Sequence, residues 1–309
     1  MGRPKASFIE AGFERIAAVQ AVHHHWREYC NPQFWRDLNP QLTVTDRPFT
    51  GRVVSTPPAA AQAWRDQLHT EGFATTSPLI DEARMAPLRQ AIEVLTAHRI
   101  PTGFACVYDE YYQLFEGLNQ AFGPIVGPGY RWVAHGLWAF YVAPGDKGLT
   151  GLTSAGPHRD SMGPDPRVLA GGLPGVLTVW LALTDVTPET SCIYVVPRGS
   201  DPDFLTSERD VDPARIKLTS IRALPAAAGS FLAWSTHLAH WGSEASASAK
   251  GPRVSINMYF QRAEDPPCHE SAFEEGGPVP FADRLSWVVG SLGTADLFAN
   301  LDWSHVRPT

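Results

Sequence analysis

Little in this sequence points to nucleic acid, to a membrane or to a disulfide framework. Basic residues are outnumbered, 25 Lys and Arg against 32 Asp and Glu, and the formal net charge is −7. A surface that grips a phosphate backbone needs a concentrated positive footprint. Nucleic acid is therefore not an expected partner, whereas a small anionic molecule stays open. No apolar run reaches the ~18 residues of a membrane-spanning helix. The opening MGRPKASFIEAGFERIAAVQ carries no signal-peptide apolar core, and Ala6 breaks the myristoylation pattern. Cys30, Cys106, Cys192 and Cys268 are scattered with no CxxC pair, so neither a zinc ribbon nor a set of disulfides is suggested. A cytoplasmic setting is expected. Also missing are a Gly-x-Ser-x-Gly elbow, a phosphate loop and a Rossmann fingerprint.

What is present is an ordinary globular composition, 44% hydrophobic and 18% charged, with 10 Trp, 27 Pro and 26 Gly over 309 residues. So many turn formers favour short strands over long helices. The first third nevertheless reads as helical. Ile9, Phe13 and Ile16 predict a helix over 8–22, and a second runs from about Ala59 to Leu68 with Gly72 soon after it. Met85, Leu88, Ile92 and Leu95 mark a third, with Asp81 as N-cap and Pro87 pointing to a regular start later than Asp81. Tyr111, Phe115, Leu118 and Phe122 mark a fourth, stopped at Gly123. From Arg131 the texture changes to short β-prone runs between turn signals: WVAHGLWAFYV, GVLTVWLAL, CIYVV, IKLTSI, GSFLAW and RVSINMYF. The expectation is mostly β with flanking helices, in a sandwich or jelly-roll barrel. Residues 1–60 form an N-terminal extension packed on a core domain of 61–309.

GPHRDSMGPD contains His158 and Asp160. Side chains two apart on an extended chain share a face, so one imidazole and one carboxylate can reach a single ion. A second histidine would complete the two-His, one-carboxylate arrangement that suits iron(II) and leaves positions open. GSFLAWSTHLAHWGS offers His237 and His240, three apart and hence on opposite faces of a strand. Arg253 opens the following strand, where its guanidinium could clamp a carboxylate. Alone, His-x-Asp reads more readily as a solvated turn than as a metal site. HRD also occurs in protein kinases, whose other motifs are missing here.

The ordered set of segments resembles the phytanoyl-CoA dioxygenase-like family of iron(II)/2-oxoglutarate oxygenases, over about residues 65 to 260. PHRD resembles the family's first two ligands, LTVWLALTDVTPETSCIYVVPRGS its central stretch, and GSFLAWSTHLAHWGS with GPRVSINMYF its distal His and co-substrate Arg. LHTEGFATTSPLID is a weaker likeness to its opening segment. Two departures, Ser191 where the family often has Gly and an inserted Arg198 in the Pro-Gly-Ser turn, fall in loops. The resemblance implies a double-stranded β-helix (jelly-roll or cupin-like). It implies Fe(II) on His158, Asp160 and His240, the last chosen by its register from Gly229. It implies 2-oxoglutarate held by Arg253, O2 as oxidant, succinate and CO2 as products, and hydroxylation of a C–H bond in a small organic molecule. Halogenating relatives carry a small residue where this chain has Asp160, so oxygenation rather than chlorination is implied.

Trp180 is either a wall of the 2-oxoglutarate pocket or a core residue, and Ser255 either a second contact to the same carboxylate or a satisfied barrel serine. The His23, His24, His25 run reads as a solvated or partner-facing cluster more readily than as a second metal site. His135 and Trp138 read as ordinary packing, with substrate contact the alternative. The 143–156 stretch reads as a lip over the site. Two other functions fit a metal-bearing barrel: metal or ligand binding without redox turnover, and zinc-type hydrolysis or isomerisation.

Overall fold

The computed structural model describes residues 22, 24–49, 58–116, 118, 129–134, 136–146, 156–160, 174–205, 211–274 and 277–291. The expected helix over 8–22, apart from Val22, lies outside these residues. So do His23, Phe122, Gly123, His135 and residues 147–155 of the proposed lip.

Two short helices, α1 (Trp26–Tyr29) and α2 (Pro32–Leu38), precede the longer α3 (Pro58–Glu71) and α4 (Glu82–Ala97). In α4, Met85, Leu88, Ala91, Ile92 and Leu95 form one buried stripe at the helical period. The Asp81 carboxylate accepts from the Arg84 amide at 3.0 Å and caps the helix. The helix begins at Glu82 and runs through Pro87, contrary to the later start read from that proline. Pro87 removes one amide donor, and the buried stripe on both sides of it holds the helix together. The expected fourth helix is short: α5 spans Asp109–Gln113, and Leu118 sits in a turn. Near the C-terminal end, α6 (Phe281–Ser291) buries Leu285, Val288 and Val289. Among the described residues no helix is long and apolar enough to cross a membrane.

The strands are β1 (Phe73–Thr75), β2 (Tyr130–Val133), β3 (Ala139–Val142), β4 (Val176–Ala182), β5 (Ile193–Val195), β6 (Arg222–Leu224), β7 (Phe231–Ser235), β8 (His240–Gly242), β9 (Arg253–Arg262) and β10 (Ala272–Glu274). The larger sheet has the order β1-β7-β4-β9-β2-β10, with β3 also on β9; the smaller is β6-β5-β8. Among the described residues the strands all pair antiparallel. A bridge between His158 and His240 adds a fourth rung to the small sheet. From β3 onward the chain alternates between the sheets, visiting the small one at His158, β5–β6 and β8 and the large one at β4, β7 and β9. That is a double-stranded β-helix.

The alternation of β9 shows how the layers are made. Val254, Ile256, Met258 and Phe260 face a cluster shared with the helices, including Leu88, Ile92 and Phe104. Trp26, Tyr29, Trp35, Leu42, Val44 and Phe49 of the N-terminal segment belong to the same cluster. Between the sheets, Trp180, Leu232 and Trp234 of the large sheet meet Ile193, Val195 and Leu224 of the small one.

Two expected strands differ. WVAHGLWAFYV is not one strand: it pairs with β9 as β2 and as β3, and Gly136, Leu137 and Trp138 lie before β3 outside either strand. The Asn257 carboxamide fills the break, accepting from the Trp138 amide at 2.7 Å and donating to the Gly136 carbonyl at 3.2 Å. IKLTSI forms a 3-10 turn at Leu218–Ser220, and the strand follows at β6. Pro213 and the exposed Leu218 deny that stretch a buried face.

Candidate metal centre

The His158–His240 bridge brings two imidazoles together through the backbone. Each residue donates its amide to the other's carbonyl, at 3.1 and 2.9 Å. The rings then lie with centroids 4.4 Å apart. Each ring is oriented in the same way: His158 Nδ1 meets the Gly156 carbonyl at 2.9 Å and His240 Nδ1 meets the Leu238 carbonyl at 2.9 Å. A carbonyl only accepts, so both Nδ1 atoms carry a proton, and Nε2 is the nitrogen of each ring turned to the site. These Nε2 atoms face Asp160, 3.8 Å from Oδ1 for His158 and 3.5 Å from Oδ2 for His240. One ligand atom from each of the three residues lies within 4.8 Å of the others. Two imidazoles and a carboxylate are a donor set that a divalent transition metal fits.

Asp160 is set between the sheets. Its Oδ2 accepts from Thr178 Oγ1 and from Trp234 Nε1, each at 2.9 Å. Burial pushes its pKa up, but His240, His158 and the hydrogen bonds from Trp234 and Thr178 outweigh burial and hold the carboxyl below its usual range. The side chain between the ligands, Arg159, turns the other way and is buried. It donates from Nε to the His237 carbonyl at 3.0 Å and pairs with Asp201 at 2.6 Å. The ligand segment is thus pinned from behind. His237 stands apart, its ring near Phe204 with centroids 6.0 Å apart.

Arg253 and Ser255 share the inward face of β9 with Asn257. The Arg253 guanidinium is buried, donates from Nη1 to the Ser191 carbonyl at 2.6 Å, and lies 5.6 Å from the Phe140 ring centre. Among the described residues its Nε has no hydrogen-bond partner, nor has the buried Ser255 Oγ. Burial lowers the Arg253 pKa to about 10, with Cys192 and Asp146 acting against it. The direction records a cation taken out of water without a close carboxylate partner. Gly242 makes room for it, since a Cβ there would stand 3.1 Å from Nη1. Ser191 holds the accepting carbonyl in place from a left-handed conformation (φ 69°), and its hydroxyl donates to the Ser243 carbonyl. Trp180 lies in the core between the sheets, opposite Asn257 and one inward position from both Thr178 and Ala182. Trp138, half-buried just before β3, packs against the helix-side cluster.

Sequence reading singled out neither Thr178, Trp234, Arg159, Ser191 nor Asp201 in these roles. Thr178 and Trp234 are register partners on neighbouring strands, a relation that exists only once β4 and β7 are paired. Ser191 had a signal, being a serine where related sequences often have glycine, in a turn requiring positive φ.

A search of curated protein sequences finds no match to this chain. Three solved structures share its fold. The epimerase SnoN, in complex with Fe3+, alpha ketoglutarate and nogalamycin RO, superposes with a TM-score of 0.52 at 19% identity, covering 72% of this chain and 96% of SnoN. AviO1 from Streptomyces viridochromogenes Tue57 gives 0.51 at 19% identity, covering 69% and 99%. The non-heme monooxygenase ThoJ, as a nickel complex, gives 0.50 at 14% identity, covering 79% and 100%. At such identities the likeness is one of fold. The sequence adds a match to a family model: residues 116–255, which contain His158, Asp160, His240, Arg253 and Ser255, match the phytanoyl-CoA dioxygenase (PhyH) model.

Proposed function

We propose that this chain is an iron(II)- and 2-oxoglutarate-dependent oxygenase that hydroxylates a C–H bond of a small organic molecule. The observation that carries the reading is one constellation. His158, Asp160 and His240 gather three ligand atoms within 4.8 Å, and the same barrel interior holds a buried cation and an orphaned hydroxyl, Arg253 and Ser255. Neither half explains the other without an anion that reaches from the arginine to a metal. SnoN, which has this fold, is described with both Fe3+ and alpha ketoglutarate.

In this reading His158 and His240 ligate through Nε2, and Asp160 adds the negative charge. Arg253 has Nη1 committed to Ser191, which leaves the Nε–Nη2 edge for the far carboxylate of 2-oxoglutarate, a side-on geometry that suits two parallel hydrogen bonds. Ser255 donates to the same carboxylate. Trp180, placed between the Thr178 and Ala182 positions, forms an apolar wall along the co-substrate. Bound iron(II) with 2-oxoglutarate and O2 supplies the oxidising power for the substrate C–H bond, releasing succinate and CO2. The burial of Asp160, Arg253 and both strand faces keeps bulk water from the charged groups, which strengthens each of these contacts. The N-terminal extension holds the helix side of the 61–309 core through Trp26, Tyr29, Trp35, Leu42, Val44 and Phe49.

The fold does not decide the outcome, since SnoN is described as an epimerase. Asp160 bears on it, because a carboxylate in that position leaves no place for a halide. Turnover with Fe(II), 2-oxoglutarate, labelled oxygen gas and excess chloride across a metabolite panel tests the reading. One labelled oxygen in the product and one succinate per product are expected. Failure to form succinate with iron, or turnover supported by zinc without oxygen, would sink it. An unlabelled product two hydrogens lighter would keep the oxygenase chemistry and replace hydroxylation by desaturation or ring closure.

A further inference from the structure

Asp160 is held asymmetrically. Thr178 Oγ1 and Trp234 Nε1 both donate to Oδ2, at 2.9 Å each, and among the described residues no hydrogen bond reaches Oδ1. A carboxylate oxygen has two in-plane lone pairs. Two donors on Oδ2 use both, while Oδ1 keeps its own. The donors come from separate strands, β4 and β7, at positions that are direct register partners, so the large sheet presents them as a pair. Trp234 does more than donate. Its ring lies against His240, with centroids 4.8 Å apart at 47°, so one side chain fixes the placement of two of the three ligands. Thr178 and Trp234 are both buried, which removes water as a competing donor.

We propose that Trp234 and Thr178 are positioning residues that restrict Asp160 to ligating through Oδ1 alone. The inference rests on the metal reading above and deepens it. A carboxylate free to turn would offer both oxygens to one ion and fill a further coordination position. With Oδ2 already satisfied, that position stays open for the co-substrate and oxygen. The lock is built into the sheet before any ion arrives, so the geometry does not depend on which metal is bound.

The test uses the full chain with aspartate labelled at its side-chain carboxyl carbon, loaded with Co(II). The infrared difference between loaded and metal-free protein isolates the ligating carboxylate. Its antisymmetric and symmetric stretches are widely separated when one oxygen ligates and close together when both do. Wild type should show the wide separation. Thr178→Val is nearly isosteric, and Trp234→Phe keeps a ring against His240; each frees one lone pair of Oδ2, so the separation should narrow in both. Co(II) affinity should fall about 10–100-fold, as for the loss of other groups that orient metal ligands. Pure packing roles would lower the affinity and leave the separation wide. A narrow separation in wild type, or a wide one in folded, loaded Thr178→Val, overturns the proposal. If wild type takes up no Co(II), no difference spectrum forms, and it is the metal reading that fails.

Discussion

Replacing Arg253 with Met should do two opposite things. The guanidinium is buried, and among the described residues it makes one hydrogen bond, from Nη1 to Ser191, and its Nε has no partner. Holding an unpaired charge away from water costs several kcal/mol, partly offset here by that hydrogen bond and by the Phe140 ring. Methionine fills similar length without the charge, at the cost of orphaning the Ser191 carbonyl, about 1–3 kcal/mol. The metal-free, ligand-free variant should therefore be as stable as wild type or more stable, by up to about 3 kcal/mol, as when buried ionic groups elsewhere are replaced by apolar ones. The 2-oxoglutarate affinity should move the other way. Each charge-assisted hydrogen bond contributes about 1.5–3 kcal/mol, so even one lost bond weakens binding by roughly ten- to a hundredfold, and two lost bonds by more. Denaturant unfolding of the apo protein and calorimetric titration with 2-oxoglutarate read the two effects separately, with Fe(II) affinity as the control that stays put. Unchanged 2-oxoglutarate binding would remove Arg253 from the pocket. A variant destabilised by 3 kcal/mol or more would show that the guanidinium is already satisfied within the protein.

Three further outcomes follow from the geometry. His158→Ala or His240→Ala should abolish stoichiometric Fe(II) binding, measured by metal analysis after gel filtration, whereas His237→Ala, whose ring lies by Phe204, should retain it. Arg284 is fully buried in α6, donates to the Val279, Val107 and Thr45 carbonyls, pairs with Asp109, and lies over the Phe49 and Tyr112 rings. Asp109→Ala should thus cost about 3–5 kcal/mol in urea unfolding, because it strands that charge. Gly229 sits at φ 83°, where an added Cβ would lie 2.1 Å from the Ile80 carbonyl oxygen. Gly229→Ala should lower stability by at least about 1–3 kcal/mol from the backbone alone, seen as a fall in Tm, and an unchanged Tm would refute the close approach.

The parts of this fold that depend on one segment's own pattern were readable from the sequence. The stripe from Met85 to Leu95 reports which helix face is buried without knowledge of a partner, and the β-prone composition of RVSINMYF marks β9 in the same way. What failed depends on distant residues. The run from Trp132 to Val142 has strand composition throughout, yet Asn257, over a hundred residues later, inserts its carboxamide and parts it into two strands. IKLTSI has β-prone residues but no neighbour to pair with. At the metal centre the spacing of His158 and Asp160 is local and visible. The choice of His240 over His237 needed a register, and the donors to Asp160 needed two strands already paired. Arg159 carries no signal of its own in the sequence. Its partner Asp201 lies 42 residues further on, beyond any periodicity.

The single bridge between His158 and His240 makes the first and last metal ligands neighbours on the rim of the small sheet. Their amides hold each other, and their rings reach inward from that same rung. Detaching one ligand by more than a rotamer change requires breaking the rung, so escape of an ion is tied to fraying at a sheet edge. Hydrogen exchange at those two amides would then run on the same clock as metal loss. Conversely, an occupied centre would clamp the rung shut, joining 158–160 to β8 as a covalent staple would, but reversibly and with a strength set by how much free metal surrounds the protein.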